Sequence, residues 1–254
     1  MRWFSTVTQY LIPTLCMVCE NPQAKIVCHA CRKRIAINRS QIGPSCAVCA
    51  LPIKPHQSIC TQCEEERPAF DRVVYLDLYQ EAFDRVVYLD LYQEPLRHPL
   101  HLLKYQKRLA CASGFALLWN TFHQNALNSC DADVLIPVPL SQAKLAARGF
   151  NQAWEIAKQL DLPNSVKRAP NLVICQRANA AQASLSRANR TASMQERFVL
   201  KADAVTVIKN RHILIVDDVL TTGSTIHSLA TTLKQSGAKR VTAWTMFRTP
   251  PWRA

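Results

Sequence analysis

The sequence lacks any long hydrophobic run. Its longest apolar stretches, 110–119 and 213–216, are far shorter than the roughly 18 residues that a membrane-spanning helix needs. Thr and Gln interrupt the first 15 residues, and no small-residue cleavage site follows them, which argues against a signal peptide. These absences predict a cytoplasmic protein without a membrane span.

Acidic residues are also scarce. The chain of 254 residues has 18 Asp and Glu against 31 Lys and Arg, a net charge of +13. Residues 97–211 hold 16 of the basic residues and only six acidic ones. This excess favours partners rich in phosphate, such as nucleic acid or a multiply phosphorylated small molecule. It is equally compatible with a basic protein that is merely soluble.

Cysteines are concentrated at the N-terminal end. Eight of the 11 precede residue 64 and form four Cys-x-x-Cys pairs. Four thiolates complete a tetrahedral zinc site, so one or two Zn²⁺ ions are expected, bound by sequential or interleaved pairs. Disulfides are disfavoured because nothing indicates secretion. We therefore predict a small Cys-rich, zinc-ribbon-like domain over residues 1–68, either purely structural or in contact with nucleic acid. The predicted metal ligands are Cys16, Cys19, Cys28, Cys31, Cys46, Cys49, Cys60 and Cys63.

A second domain is predicted over residues 69–254, and it opens with an identical tandem repeat. The 13 residues 69–81 recur unchanged as 82–94. Each copy is rich in Val, Tyr and Leu and could form the same strand. Only one can do so at a time, and the sequence leaves open which one.

The C-terminal third has the pattern of a strand, a helix and a second strand. We predict a strand over Ile213–Val216, a helix over Ser224–Gln235 that stops at Gly237, and a strand over Arg240–Phe247. A βαβ unit of this kind indicates a parallel sheet flanked by helices, and hence an α/β fold.

Two adjacent carboxylates, Asp217 and Asp218, follow the first of these strands. A turn of hydroxyl residues and glycine comes next, at residues 221–225, and opens the helix. Helix N-termini and hydroxyls suit a phosphate, and adjacent carboxylates suit ribose hydroxyls or a hydrated Mg²⁺. No Lys follows Gly223, which excludes a P-loop, and no clear general base is present.

The stretch 216–225 resembles the signature of type I phosphoribosyltransferases. The wider pattern is similar to the ComF family of competence and DNA-utilisation proteins, including its GntX-like members. It rests on the cysteine pairs, Leu103–Tyr105, Ile136–Leu140 and Arg148–Gln152, with a looser match over Gln182–Phe198. The duplication and Ser193 depart from the family pattern.

The resemblance implies a role for several residues. Asp217 and Asp218 would contact ribose hydroxyls as the catalytic pair, and Pro137 and Val138 would begin the pyrophosphate loop. Arg148 and Lys104 are candidates to hold phosphate or pyrophosphate, and surface charge is the alternative. Phosphoribosyl pyrophosphate with Mg²⁺ is the implied ligand. The 5-phosphate loop would comprise Thr221, Thr222, Gly223, Ser224 and Thr225.

Two functions follow from these patterns. The first, which the resemblance favours, is uptake or utilisation of single-stranded DNA, with a pocket for a 5-phosphorylated nucleotide and with partner proteins of DNA uptake. The alternative is an active phosphoribosyltransferase of nucleotide or salvage metabolism, and the sequence identifies no acceptor base. The residues predicted to contact nucleic acid are Lys104, Tyr105, Lys107, Arg108 and Arg190.

Overall fold

The structure of the chain is a computed structural model. It describes residues 14–44, 46, 53–57, 59, 61, 64, 85–177, 196–221 and 223–249. The predicted domain boundary at residue 68 and the Arg-rich residues 178–195 therefore lie outside the described residues. Among the described residues, every helix is too short or too polar to cross a bilayer.

The N-terminal part is a two-stranded hairpin followed by one helix. Strands β1 (Thr14–Leu15) and β2 (Pro22–Gln23) pair antiparallel, and helix α1 covers His29–Ser40. The Cys28 thiol caps α1 by accepting a hydrogen bond from the Cys31 N–H. The cysteines thus lie in the hairpin and at the start of the helix.

A five-stranded parallel sheet forms the centre of the rest of the chain. Its order is β3-β9-β8-β4-β5, and each neighbouring pair runs parallel. The α/β prediction is therefore confirmed. The strands are β3 (Arg85–Leu91), β4 (Val134–Pro137), β5 (Lys167–Arg168), β8 (His212–Leu220) and β9 (Arg240–Arg248).

Helices cover both faces of this sheet. They are α2 (Arg97–Gln106), α3 (Ala110–Phe122), α4 (Gln124–Asn128), α5 (Gln142–Arg148), α6 (Gln152–Ala157), α7 (Ala204–Ile208) and α8 (Ser224–Gln235). A separate antiparallel pair, β6 (Val173–Arg177) and β7 (Glu196–Leu200), lies on either side of residues 178–195.

The core is divided by the sheet because side chains alternate along each strand. Leu214, Val216 and Trp244 belong to one buried cluster, together with residues of α2, α3 and α6. Ile213 and Ala243 belong to the second cluster, which includes residues of α7 and α8. The sheet is thus buried on both faces, as parallel sheets generally are.

The N-terminal hairpin and α1 share the first of these cores. Met17 and Ile35 are fully buried in the same cluster as Phe115 and Trp119 of α3. A Cβ added to Gly114 of α3 would lie 2.2 Å from the Met17 sulfur, so the hairpin rests directly on that helix. Arg39 of α1 also lies 3.2 Å from His123 Nε2, at the end of α3.

The second copy of the repeat forms the edge strand β3. Its residues Arg85–Leu91 pair in parallel with Thr242–Arg248 of β9. The first copy, 69–81, lies outside the described residues. The copy that directly precedes α2 therefore holds the strand position.

Strand β8 is longer than predicted. The expected strand ended at Val216, with Asp217 and Asp218 beyond it, but pairing with β9 continues to Leu220 opposite Arg248. The predicted end coincides with the end of the apolar run. At that point β8 loses its pairing with β4, which stops at Pro137 opposite Val216, but it keeps its pairing with β9. The two carboxylates therefore lie inside β8, just past the end of β4.

Candidate functional site

The acidic pair lies in a buried notch at the carboxyl end of the sheet. Asp217 and Asp218 are only 8% and 5% exposed. Because β8 extends beyond β4, the backbone of the pair is paired with β9 on one side and is past the end of β4 on the other. Crevices at the carboxyl ends of parallel strands are the usual ligand sites of such sheets.

Two helices place polar groups on Asp218. Gln152 Nε2, at the start of α6, donates to Asp218 Oδ1 over 3.1 Å. Lys104 Nζ, from the last turn of α2, forms an ion pair with Asp218 Oδ2. The Lys104 side chain is only 18% exposed and that of Asp218 7%, so the pair is largely shielded from water.

The two carboxyls titrate in opposite directions. Burial and the adjacent charge of Asp218 raise the pKa of Asp217 well above its ordinary value. Burial also opposes ionisation of Asp218, but the Lys104 ammonium and the Gln152 amide outweigh it and lower the pKa of Asp218. The Asp218 N–H donates to Asp217 Oδ1 over 2.8 Å. Asp218 is therefore the more acidic of the two carboxyls and Asp217 the more readily protonated, a common outcome for adjacent acids.

The motif at 148–152 orients Gln152. Arg148 Nη1 donates to Gln152 Oε1, which directs the Gln152 amide nitrogen toward Asp218. Asn151 Oδ1 caps α6 by accepting from the Ala153 N–H over 3.0 Å, and Asn151 Nδ2 donates to Val138 O over 2.9 Å. One motif thus connects the end of β4 to the acidic pair.

The turn after β8 has the backbone of an anion site. Gly223 adopts φ +84°, a left-handed conformation that favours glycine, and α8 begins directly after it. The first-turn N–H groups of a helix lack intrahelical acceptors, which suits them to a phosphate. Thr221 and Ser224 are exposed and Thr225 is half-buried, while Thr222 lies outside the described residues.

Arg248 secures this turn from the neighbouring strand. Its side chain is 6% exposed, and Nη1 donates to the carbonyl oxygens of Leu220, over 3.1 Å, and Thr221. It therefore acts as a positioning residue for the loop. Sequence reasoning missed Arg248 because nothing local links it to a loop more than 20 residues earlier in the chain.

The four predicted contacts near the end of α2 differ in their surroundings. Tyr105 is 67% exposed, and its ring lies against that of His101 with centroids 4.6 Å apart. Lys107 ends α2 in a left-handed conformation at φ +56°. Arg108 is bound to Glu20 of the N-terminal hairpin over 2.6 Å. Lys104 is the member that reaches the acidic pair, and Arg190 lies outside the described residues.

The first two cysteine pairs form one compact cluster. The sulfurs of Cys16, Cys19, Cys28 and Cys31 all lie within 4.8 Å of one another, and those of Cys19 and Cys28 are 3.9 Å apart. A tetrahedral zinc site with Zn–S bonds of about 2.3 Å separates its sulfurs by about 3.8 Å. The cluster therefore fits Zn²⁺, and sequential pairing replaces the interleaved alternative for these four ligands. Cys46 is buried, while Cys49, Cys60 and Cys63 lie outside the described residues.

The thiols of the cluster differ in their pKa values. Burial disfavours the Cys16 thiolate, but backbone N–H groups of Cys19, Cys28 and Val18 outweigh it and lower the Cys16 pKa to about 7. Burial and the neighbouring sulfurs raise the pKa of Cys31. Four adjacent thiolates repel one another, so a bound cation would let all four ionise.

Known proteins resemble both parts of this chain. The phosphoribosyl transferase domain model matches residues 145–251, which include α6, β8, the turn and β9. DNA utilization protein YhgH of Escherichia coli strain K12 is 29% identical over 242 residues, covering 94% of this chain and 98% of that protein. The chain is thus similar to DNA utilization and competence proteins, and its residues 145–251 match a phosphoribosyl transferase domain.

Two further ComF relatives align over most of their length. Competence protein F of Haemophilus influenzae is 25% identical over 223 residues, covering 87% of this chain and 90% of that protein. Competence protein ComFC of Bacillus subtilis is 26% identical over 223 residues, with coverages of 87% and 84%. A hypoxanthine phosphoribosyltransferase from Staphylococcus aureus superposes in part, with TM-score 0.33 and 14% identity, over 56% of this chain and 69% of that one.

The acidic pair of this chain does not fit a magnesium ion as it stands. Mg²⁺ prefers ionised oxygen ligands in octahedral geometry and retains several waters. Here burial and Asp218 raise the pKa of Asp217, both oxygens of Asp218 are engaged, and the cation beside it is Lys104. We therefore derive no step through a metal bound at these carboxyls.

Proposed function

We propose that this chain acts in the uptake or utilisation of single-stranded DNA and that its phosphoribosyl pocket binds a separate 5-phosphorylated ribose ligand, such as phosphoribosyl pyrophosphate, beside the strand. The observation that carries the proposal is the Lys104–Asp218 ion pair, because it brings the exposed end of α2 to the acidic pair. A ribose ring bound by Asp217 and Asp218 would then lie close to the residues that can bind a DNA strand.

The pocket supplies the sugar and phosphate contacts. Asp217 and Asp218 can hydrogen-bond the two vicinal hydroxyls of a free ribose, because hydroxyl groups both donate and accept hydrogen bonds. The Thr221–Thr225 turn, with its left-handed Gly223, supports the 5-phosphate at the helix start. Arg148 is half-buried beside Gln152 and lies near enough to extend the positive field of this pocket.

The end of α2 supplies the contacts to a strand. Tyr105 offers an exposed ring for stacking, a contact worth about 1–3 kcal/mol per base and tolerant of base identity. His101 packs against that ring and limits its motion. Lys107 and Arg108 add charge for the backbone phosphates, and Arg190 is proposed to do the same. The names of the relatives, DNA utilization protein and competence protein, agree with this assignment.

The test is a titration of the zinc-loaded full chain with labelled single-stranded oligonucleotides at low and high salt. We expect salt-sensitive binding whose affinity changes when phosphoribosyl pyrophosphate is added. Asp217→Asn with Asp218→Asn should abolish that change. Absence of binding at low salt would contradict the DNA proposal.

Matched variants separate stacking from charge. Tyr105→Ala should weaken binding about tenfold or more by loss of one stacked base, at either salt concentration. Val205→Ala removes another exposed apolar side chain, on α7, and should change nothing. Lys107→Gln should lower the salt slope by about one, whereas Lys201→Gln, at an exposed position after β7, should not.

The second candidate function, which the domain match supports, is phosphoribosyl transfer itself. A nitrogen nucleophile would attack C1 of phosphoribosyl pyrophosphate, the C1–O bond to pyrophosphate would break, and the nitrogen would lose its proton to solvent. The expected readout is pyrophosphate released in proportion to an added nucleobase, abolished by Asp217→Asn with Asp218→Asn. Binding of phosphoribosyl pyrophosphate without release for any base would leave the DNA proposal as the better account.

A further inference from the structure

We infer that Lys104 is the built-in cation of the phosphoribosyl pocket, so that the ribose is bound at Asp217 and Asp218 without a divalent metal on these carboxyls. The inference rests on the proposed phosphoribosyl pocket and specifies how it recognises its ligand. Its ligand class is a ribose 5-phosphate with free vicinal hydroxyls.

The contacts of the acidic pair leave little room for a metal. Three of the four carboxyl oxygens already have a protein partner: Lys104 Nζ, Gln152 Nε2 and the Asp218 N–H. Replacing these contacts with a hydrated Mg²⁺ would require the ammonium to leave and several waters to enter. Both side chains are more than nine-tenths buried, so the notch suits hydroxyl groups better than a hydrated ion.

Lys104 is held in place by its helix. Its neighbours Leu102 and Leu103 are buried at 3% and 0% exposure in the core beneath α2. The helix then stops at Lys107, whose N–H donates to Leu102 O in a left-handed cap. Arg108, directly after that cap, is bound to Glu20 of the cysteine-bearing hairpin. Lys104 is thus presented from a packed helix rather than from a free loop.

A fixed ammonium and a divalent cation would repel each other at this site. The ammonium also does what a metal would do for Asp218, since it neutralises a buried carboxylate. Lys104 is therefore a specificity-determining residue, because it selects a neutral, hydroxyl-bearing sugar for the acidic pair. Any metal that accompanies phosphoribosyl pyrophosphate would be bound through the pyrophosphate.

The experiment uses ribose 5-phosphate, which lacks pyrophosphate, as the calorimetric probe of the full chain. Buffers are depleted of free divalent ions by resin, with zinc content checked afterwards, and Mg²⁺ is added back at millimolar concentration. Wild-type affinity should be equal in both buffers to within about twofold. A gain of about tenfold or more on adding Mg²⁺ would overturn the inference while leaving the pocket intact.

The variant Lys104→Met gives the complementary result. Without Mg²⁺ it should bind ribose 5-phosphate at least about tenfold more weakly, because Asp218 loses its partner. Mg²⁺ should restore most of that loss, so the ratio of affinities with and without the metal rises only in this variant. Lys201→Met, at an exposed position after β7, is the matched control and should keep the wild-type ratio. Equal affinities of Lys104→Met and wild type would contradict the assignment.

A second measurement does not depend on the variant folding. Mn²⁺ added to wild-type protein with ribose 5-phosphate should produce no saturable relaxation enhancement of water protons above that of the sugar phosphate alone. A saturable site that Asp218→Asn removes would overturn the inference. Failure of ribose 5-phosphate to bind in either buffer would instead contradict the phosphoribosyl pocket, and with it this inference and the proposed function.

Discussion

The acidic pair and the four-cysteine cluster solve the same electrostatic problem in different ways. Both place acidic groups next to one another with little water. At the acidic pair the protein supplies a cation, Lys104, and an amide from Gln152, and the pKa of the second carboxyl is raised. At the cysteine cluster burial has the largest influence on the thiol pKa values, followed by backbone N–H groups at Cys16 and by neighbouring thiols at Cys31.

The difference separates a site for a hydroxylated ligand from a site for a metal. A buried carboxylate that already has its counter-ion gains little from a second cation. Four thiols gathered around one point can all ionise only when a cation is bound between them. Clustering of acidic groups alone therefore does not indicate metal binding, and the partner that the fold provides has to be considered.

The largest expected effect comes from removing one ligand of the four-cysteine cluster. Cys28→Ser removes one of four zinc ligands, and we expect one zinc fewer per chain with a stability loss of about 5 kcal/mol or more. At roughly 2–4 °C per kcal/mol for a chain of this size, the melting temperature should fall by about 10 °C or more. Elemental analysis and thermal unfolding measure the two effects.

The control for this prediction is Cys130→Ser. Cys130 is half-buried after α4 and lies outside the four-sulfur cluster. It should keep the full zinc content and lose no more than about 1 kcal/mol. Equal zinc content in Cys28→Ser and wild type would show that the first two pairs do not bind the metal.

The next effect concerns the ion pair. Lys104→Met leaves Asp218 buried and without its counter-ion, so we expect a stability loss of about 3–5 kcal/mol in urea unfolding. Adding Asp218→Asn to the same chain removes the stranded charge and should recover most of that loss. If the double variant is as unstable as the single one, Lys104 stabilises the fold through its packing and not through its charge.

A smaller effect tests the contact between α1 and the end of α3. Burial and the Arg39 guanidinium lower the pKa of His123 from 6.5 to about 4. Because the folded state keeps His123 neutral, its contribution is complete above about pH 6.5 and is lost as pH falls toward 4. We expect roughly 1–2 kcal/mol to disappear across that range.

The variant His123→Gln should flatten this part of the stability profile. His123 stacks on Trp119 and contacts Arg39 of α1, so its protonation should loosen the cysteine-bearing helix from α3. Urea midpoints measured between pH 7 and pH 4 give the comparison with wild type. An unchanged acid slope in His123→Gln would assign the effect to other groups.

The smallest effect is expected at the phosphate turn. Gly223→Ala has space for its Cβ, whose nearest contact would be Leu220 Cδ1 at 3.7 Å, so the cost is the left-handed backbone alone, about 1 kcal/mol. Gly43→Ala, where a Cβ would have a similar contact at 3.6 Å without a positive φ, is the control. If both variants lose the same stability, backbone strain at 223 is not the cause.

Local patterns in the sequence were sufficient for the fold class. The strand, the Gly223 turn and α8 were all predicted from neighbours in the chain, and the described sheet confirms the parallel α/β architecture. The spacing of the cysteines predicted a metal cluster but allowed either pairing. The pairing depends on the β1–β2 hairpin, which brings Cys16 and Cys19 to the start of α1.

The contacts of the acidic pair could not be predicted in the same way. Lys104 and Gln152 reach Asp218 from 114 and 66 residues away in the chain, through the packing of α2 and α6 on one face of the sheet. Lys104 was expected to hold phosphate, and its partner in the structure is a carboxylate. Arg248 was missed for the same reason, since its role depends on the register of β9 against β8.

The position of the repeat has a consequence for the history of this chain. Removing residues 69–81 and removing residues 82–94 yield the same polypeptide, because the two copies are identical. Every residue from α2 onward then keeps its place relative to β3. A duplication at this point, upstream of an edge strand, lengthens the chain without disturbing any pairing that follows, and its reversal restores the shorter protein in one step.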